Sequence, residues 1–117
     1  MAEVTEQWAK PMSRIIYVLK LADDCFYIGQ SSTDNFQERV RKHFRGKGSA
    51  WTRLHSPTEI IEHIEVYGSY REIELYENAK TIEYMKCYGI EKVRGGFFTI
   101  TDEIQLRKNL IHHNIEI

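Results

Sequence analysis

A chain of 117 residues with a net charge of −1 has the size of one domain and is not coated in positive charge. No stretch approaches the roughly twenty apolar residues of a membrane span, and Cys25 and Cys87 stand alone, without metal-ligand spacing. A membrane helix and a structural zinc site are thereby excluded, and the two thiols read as reduced, in a cytoplasmic setting.

The first segment, residues 1–13, carries Glu3, Glu6 and Lys10 and no apolar run, so it reads as an N-terminal extension rather than a signal peptide. Ile15-Ile16-Tyr17-Val18-Leu19 and Phe26-Tyr27-Ile28-Gly29 flank Asp23-Asp24, the pattern of an antiparallel hairpin with an Asp turn. Ser31-Ser32-Thr33-Asp34 is a polar break, and Asp34 with Gln37 predicts a capping box for a helix. Phe36, Val40 and Phe44 form one apolar stripe on that helix, which Gly46 and Gly48 end. Glu59 to Tyr67 alternates imperfectly and predicts a third strand. Ser69 and Glu72 predict a second capping box, opening a helix over 70–88 that Gly89 closes. Thr101 to His112 reads as a last helix packed on the same domain. The order β-β-α-β-α-α predicts an α+β fold with a three-stranded, mainly antiparallel sheet.

Charge is distributed more informatively than its sum. Arg39, Arg41, Lys42, Arg45, Lys47 and Arg53 lie in a stretch to Thr58 without Asp or Glu, while acids gather near both termini and in Glu59 to Glu91. One basic face follows, and nucleic-acid binding is local phosphate neutralisation. A solvated helix surface has the same composition. Trp51 and two glycines inside the stretch tip the reading toward nucleic acid.

Arg39 and His43, one helical turn apart, border the apolar stripe and so stand where the helix meets the sheet. Tyr17 and Tyr27 come from adjacent strands and reach the same patch. An arginine beside a phenol favours the phenolate, which makes Tyr17 a candidate general base, whereas burial alone raises a phenol pKa. Glu77 lies on a helix that is apolar on more than one side, and a carboxylate there needs a compensating cation or hydrogen bonds. One carboxylate with several waters suits Mg²⁺. Taken singly, each residue has a plainer role: strand aromatics, a structural histidine, a helix ion pair.

Jointly, and in this order, Tyr17, Tyr27-Ile28-Gly29, Arg39, His43 and Glu77 resemble the GIY-YIG nuclease superfamily over roughly Arg14 to Gly96. Ile15 stands where the first motif has glycine, and the late asparagine of the superfamily has no secure match. Gly46-Lys47-Gly48-Ser49-Ala50-Trp51-Thr52, Tyr84-Met85-Lys86-Cys87-Tyr88-Gly89-Ile90 and Val93-Arg94-Gly95-Gly96 resemble a compact single-domain branch in microbes and large DNA viruses. The resemblance implies a nuclease domain over 14–100 followed by the helix-bearing segment 101–117. It implies hydrolysis of DNA phosphodiesters dependent on Mg²⁺ or Mn²⁺, with Tyr17 as base, Tyr27 and His43 assisting, Arg39 on the phosphate and Glu77 on the metal. Ser31, Lys42, Arg45, Lys47, Trp51, Arg53 and Arg94 are the expected nucleic-acid contacts, with no membrane and no small-molecule cofactor. With no appended module, sequence specificity is expected to be weak, with room for a structural or single-strand preference. The alternative is a catalytically silent binding domain of the same fold.

Overall fold

The computed structural model describes residues 10–117, so most of the expected N-terminal extension lies outside the described residues. Strand β1 (Met12–Leu21) turns through Ala22–Asp24 into β2 (Phe26–Ser32). Asp23 and Asp24 both take positive φ, a region that aspartate tolerates better than bulkier residues. Helix α1 (Phe36–Phe44) and the short α2 (Ala50–Leu54) follow, then β3 (Pro57–Gly68), α3 (Tyr70–Tyr88), β4 (Val93–Gly95) and α4 (Glu103–His112).

Among the described residues the sheet has four strands in the order β3-β1-β2-β4, not three. The extra strand is only three residues long and pairs parallel to β2, Phe26 with Val93 through Ile28 with Gly95. A parallel partner some sixty residues away leaves no local turn signal, and three residues carry no alternation. The other pairs, β1 with β2 and β1 with β3, are antiparallel.

Alternation along β1 divides the core in two. Ile16 and Val18 face α3 and α4, packing with Phe26, Ile28, Ile73, Tyr84, Met85, Leu106 and Leu110. Tyr17, Leu19 and Leu21 face α1 and α2, packing with Tyr27, Val40 and Trp51. The stripe expected on α1 is shorter than its spacing suggested, because Phe44 is left exposed.

Helix α3 starts as expected: the Ser69 hydroxyl accepts from the Glu72 N–H, and the Glu72 carboxylate accepts from the Ser69 N–H. The start of α1 differs. Its cap is Asn35, with no side-chain capping bond, and Ser32 Oγ instead accepts from the Asn35 N–H. The expected box of Asp34 and Gln37 is shifted by one residue and does not form.

Candidate active site

The register of the sheet explains where the polar chemistry collects. β4 stops at Gly95, opposite Ile28, so from Gly29 onward β2 has no strand on that side among the described residues. Tyr17 is paired with Gly29 and lays its ring across it. A Cβ at Gly29 would stand 2.5 Å from the Tyr17 hydroxyl, so only glycine lets the phenol reach over the strand. Tyr27, two residues earlier on β2, has its ring centroid 6.5 Å from that of Tyr17. Arg39 from α1 places its guanidinium beside both hydroxyls. Around the open end of β2, α3 brings Glu77 close enough to act on both phenols electrostatically. Residues from both faces of the sheet thus meet at this one edge.

His43 is completely buried against Tyr17. Its Nε2 is 2.9 Å from the Tyr17 hydroxyl and its Nδ1 is 3.1 Å from Thr52 Oγ1. Thr52 Oγ1 lies 3.1 Å from the Ser49 carbonyl and 3.2 Å from Ser49 Oγ, and we assign its proton to the carbonyl, which can only accept. It therefore accepts from His43 Nδ1–H, which leaves Nε2 bare, and Tyr17 O–H donates to Nε2. Gly48 makes room for this, since a Cβ there would overlap the imidazole ring. The Gly-Lys-Gly-Ser-Ala-Trp-Thr segment, through Gly48, Ser49 and Thr52, is the seat of the histidine.

The electrostatics reverse one expectation. Burial, reinforced by Tyr27, raises the Tyr17 pKa far above the usual phenol value, and Arg39 only partly opposes it. Tyr27 is raised too, by burial first and Glu77 next. Tyr17 is therefore a neutral hydrogen-bond donor rather than a resting phenolate, because the desolvation of a fully enclosed ring outweighs one neighbouring cation. His43 is pushed down to about 4 by burial and then by Arg39, so it is neutral at pH 7.

Glu77 is only 8 % exposed. Gln30 Nε2 donates to its Oε1 at 2.7 Å, and Arg14 Nε donates to Gln30 Oε1 at 2.9 Å. The nearby Gly96 N–H also favours the charged carboxylate, yet burial dominates and raises its pKa. No cation stands within ion-pair distance of Glu77 among the described residues, and no cluster of three or more metal-ligating side chains occurs there. A buried carboxylate lacking a direct counter-charge fits a hard divalent cation that keeps most of its waters, and does not fit a closed multi-ligand site. Neighbouring Asn78 accepts from the Phe97 N–H at 2.8 Å, tying down the turn that offers the Gly96 N–H.

Two expected nucleic-acid contacts are structural instead. Trp51 is buried and donates from Nε1 to the Phe26 carbonyl at 3.0 Å. Arg94 is 1 % exposed, gives its donors to the carbonyls of Ile90, Val93, Ile100 and Thr101, and lies 4.3 Å over the Trp51 ring. With four of its five N–H donors on backbone carbonyls and almost no exposed surface, this guanidinium is out of reach of a phosphate. Lys42, Arg45, Lys47 and Arg53 are exposed on α1, α2 and the loop between them. Arg45 shares Glu38 with Arg41, at 3.0 and 2.7 Å, which mutes that part of the face. Ser31 is buried and donates to the Ser32 carbonyl. Sequence reasoning missed Arg14, Gln30, Thr52 and Asn78, which act through side-chain bonds between distant elements. Only Thr52 had a signal, its place in the Gly46–Thr52 segment.

The comparisons with known proteins agree with this geometry. The chain is 41 % identical over 56 residues to a UPF0213 protein of Bacillus pumilus, covering 48 % of this chain and 54 % of that protein. It is 39 % identical over 54 residues to a UPF0213 protein of Natronomonas pharaonis, covering 46 % and 60 %. The chain thus spans little more than half the length of these relatives. No solved structure is significantly similar. The model of the GIY-YIG catalytic domain matches residues 13–85, which run from the strand of Tyr17 to the helix of Glu77. With both tyrosines, the arginine, the histidine and the glutamate inside that match and gathered at one sheet edge, the chain belongs to the GIY-YIG catalytic domain family.

Proposed function

We propose that this chain is a divalent-metal-dependent endonuclease that hydrolyses phosphodiester bonds of DNA. The observation that carries the reading is the Tyr17–His43 hydrogen bond, with Arg39 on one side of the phenol and Glu77 within electrostatic reach. Nuclease chemistry is what the family implies; metal dependence, DNA as substrate and the roles of individual residues are this reading.

Arg39 has no carboxylate partner among the described residues, because Glu38 is taken by Arg41 and Arg45. Its guanidinium is open to the non-bridging oxygens of the scissile phosphate. The attacking water loses a proton to Tyr17 Oη while the phenol passes its own proton to His43 Nε2. This relay avoids a free phenolate, which burial makes costly, and it uses the only bare ring nitrogen of His43. The water oxygen forms a bond to phosphorus, the bond to the departing strand breaks, and the leaving oxygen takes its proton from solvent. Glu77 would hold a divalent cation, which would supply positive charge against the negative charge of the reacting phosphate. Gln30 holds that carboxylate in place. The Tyr27 hydroxyl, beside Arg39, steadies the guanidinium.

The test is incubation of the protein with labelled single-stranded, duplex and branched DNA, with and without Mg²⁺ or Mn²⁺. Glu77→Gln keeps the shape and the Gln30 contact but removes the charge. Its cleavage should fall by about 10³-fold or more, the equivalent of several kcal/mol of lost charge stabilisation, while binding of DNA survives. Full metal-dependent turnover by Glu77→Gln would remove the carboxylate from the mechanism. Binding without any cleavage by the wild type would leave the silent binding domain as the answer.

A further inference from the structure

Beyond the catalytic edge, a polar cavity of about 360 Å³ opens at the outer end of β2. Arg14 of β1 and Arg39 of α1 both line it, with Ser32, Asn35 and Tyr70 between them. Gln30 also lines it and separates it from Glu77. No carboxylate among the described residues lines the cavity. Two guanidinium groups from different elements face one space that offers otherwise only neutral donors and an aromatic ring. Like charges turned toward one space repel unless an anion lies there.

Arg14 is not a loose surface cation. Its Nε is spent on Gln30 Oε1 at 2.9 Å, and Gln30 is in turn held by Glu77 at 2.7 Å. That bond fixes the plane of the guanidinium while leaving its terminal nitrogens without a hydrogen-bond partner among the described residues. Arginine presents those nitrogens as a fork that matches phosphate oxygens. Tyr70, at the first turn of α3, is about half exposed and forms a flat wall. At about 360 Å³ the cavity is larger than one phosphate group.

We propose that this cavity binds the backbone phosphate next to the scissile one on the strand being cut, with Arg14 as its anchor. The inference rests on the nuclease reading and deepens it. Arg39 sits at the shared border, between the phosphate that reacts and the one that is held. Arg14 thereby fixes which way the strand runs across the edge of β2, and Gln30 couples a filled subsite to the position of Glu77.

The experiment is a chemical cycle on short single-stranded oligonucleotides. A neutral methylphosphonate replaces, one at a time, each phosphate flanking the cut. Binding is read by fluorescence anisotropy without metal, and cleavage by single-turnover kinetics with Mn²⁺. For the wild type, one flanking position should weaken binding about tenfold, the scale of a charge-assisted hydrogen bond. In Arg14→Ala, binding to the unmodified strand should be weaker by the same factor, and the methylphosphonate at that position should cost nothing more. Arg14→Lys should recover part of the affinity. Cleavage at saturating protein should fall as well, by less than in Glu77→Gln, because losing Arg14 frees Gln30, which holds Glu77. Losses that add at every position, or unchanged affinity of Arg14→Ala, would overturn the subsite while wild-type cleavage kept the nuclease reading intact. A wild type that cut none of the strands under any metal would overturn both.

Discussion

The two faces of the sheet are built to opposite rules. The face under α3 and α4 is closed by aliphatic and aromatic side chains: Ile16, Val18 and Ile28 against Ile73, Met85, Leu106 and Leu110. The face under α1 and α2 buries two phenols, an imidazole and a threonine hydroxyl among its apolar neighbours. No fully buried side-chain nitrogen or oxygen among the described residues lacks a partner. Burial of apolar area stabilises roughly in proportion to area, while a satisfied buried hydrogen bond contributes little net and is costly only when broken. The first face therefore holds the fold together. The second maintains a chain of proton donors and acceptors in one direction, from Tyr17 to His43 to Thr52 to the Ser49 carbonyl.

The comparison breaks if substitutions on the two faces have the same signature. Tyr17→Phe keeps the ring over Gly29 and removes only the hydroxyl. Single-turnover cleavage should fall by about 10² to 10⁴, with about 1–3 kcal/mol of stability lost to the His43 Nε2 left without its partner. Leu106→Ala on the opposite face should lose about 2–5 kcal/mol of stability and cleave normally while folded. Wild-type-like cleavage by Tyr17→Phe would move the base elsewhere and reduce Tyr17 to a core aromatic.

The next effect is a pH dependence confined to the polar face. The folded-state pKa of His43 is lowered to about 4, below the usual value of 6.5 for an unfolded chain. Between these values the unfolded chain binds the extra proton, so stability rises with pH through that window. The contribution is fully present above about 6.5 and is lost as pH falls toward 4, on the order of 3 kcal/mol in all. Urea unfolding of the wild type at pH 7 and pH 4.5 should show this loss. His43→Gln should flatten it, and Leu106→Ala should leave its slope untouched. A wild-type curve flat over the same window would mean that the imidazole is not buried neutral.

The sequence was most readable where chemistry follows local spacing. Tyr17, Tyr27, Arg39, His43 and Glu77 stood out by order and residue type, and the capping box of α3 fell on Ser69 and Glu72 as expected. The hairpin was equally local. What could not be read depends on contacts across the chain. β4 is three residues in a parallel pairing, and α2 is one short turn of helix between loops. Trp51 and Arg94 look like substrate contacts in a basic, glycine-containing setting, yet they stack on each other inside the core. The state of Tyr17 was also out of reach. An arginine neighbour and burial pull a phenol in opposite directions, and only the degree of enclosure decides between them.

The smallest effect is also the most specific test of the relay. Thr52→Val preserves shape and removes the oxygen that accepts from His43 Nδ1–H. The buried N–H is then left unpaired, at about 1–3 kcal/mol. The ring escapes part of that cost by moving its proton to Nε2, which turns that nitrogen from an acceptor of the Tyr17 proton into a donor toward it. Cleavage should fall about tenfold, less than for Tyr17→Phe, because the minor tautomer still works. ¹⁵N NMR of the imidazole should report Nδ1–H in the wild type and mainly Nε2–H in Thr52→Val, and Thr52→Ser should restore both tautomer and rate. An unchanged tautomer with an unchanged rate would show that the direction of the proton chain is not set by Thr52. A changed tautomer with full activity would show that His43 only supports the Tyr17 ring, and the proton of the attacking water would then leave by another path.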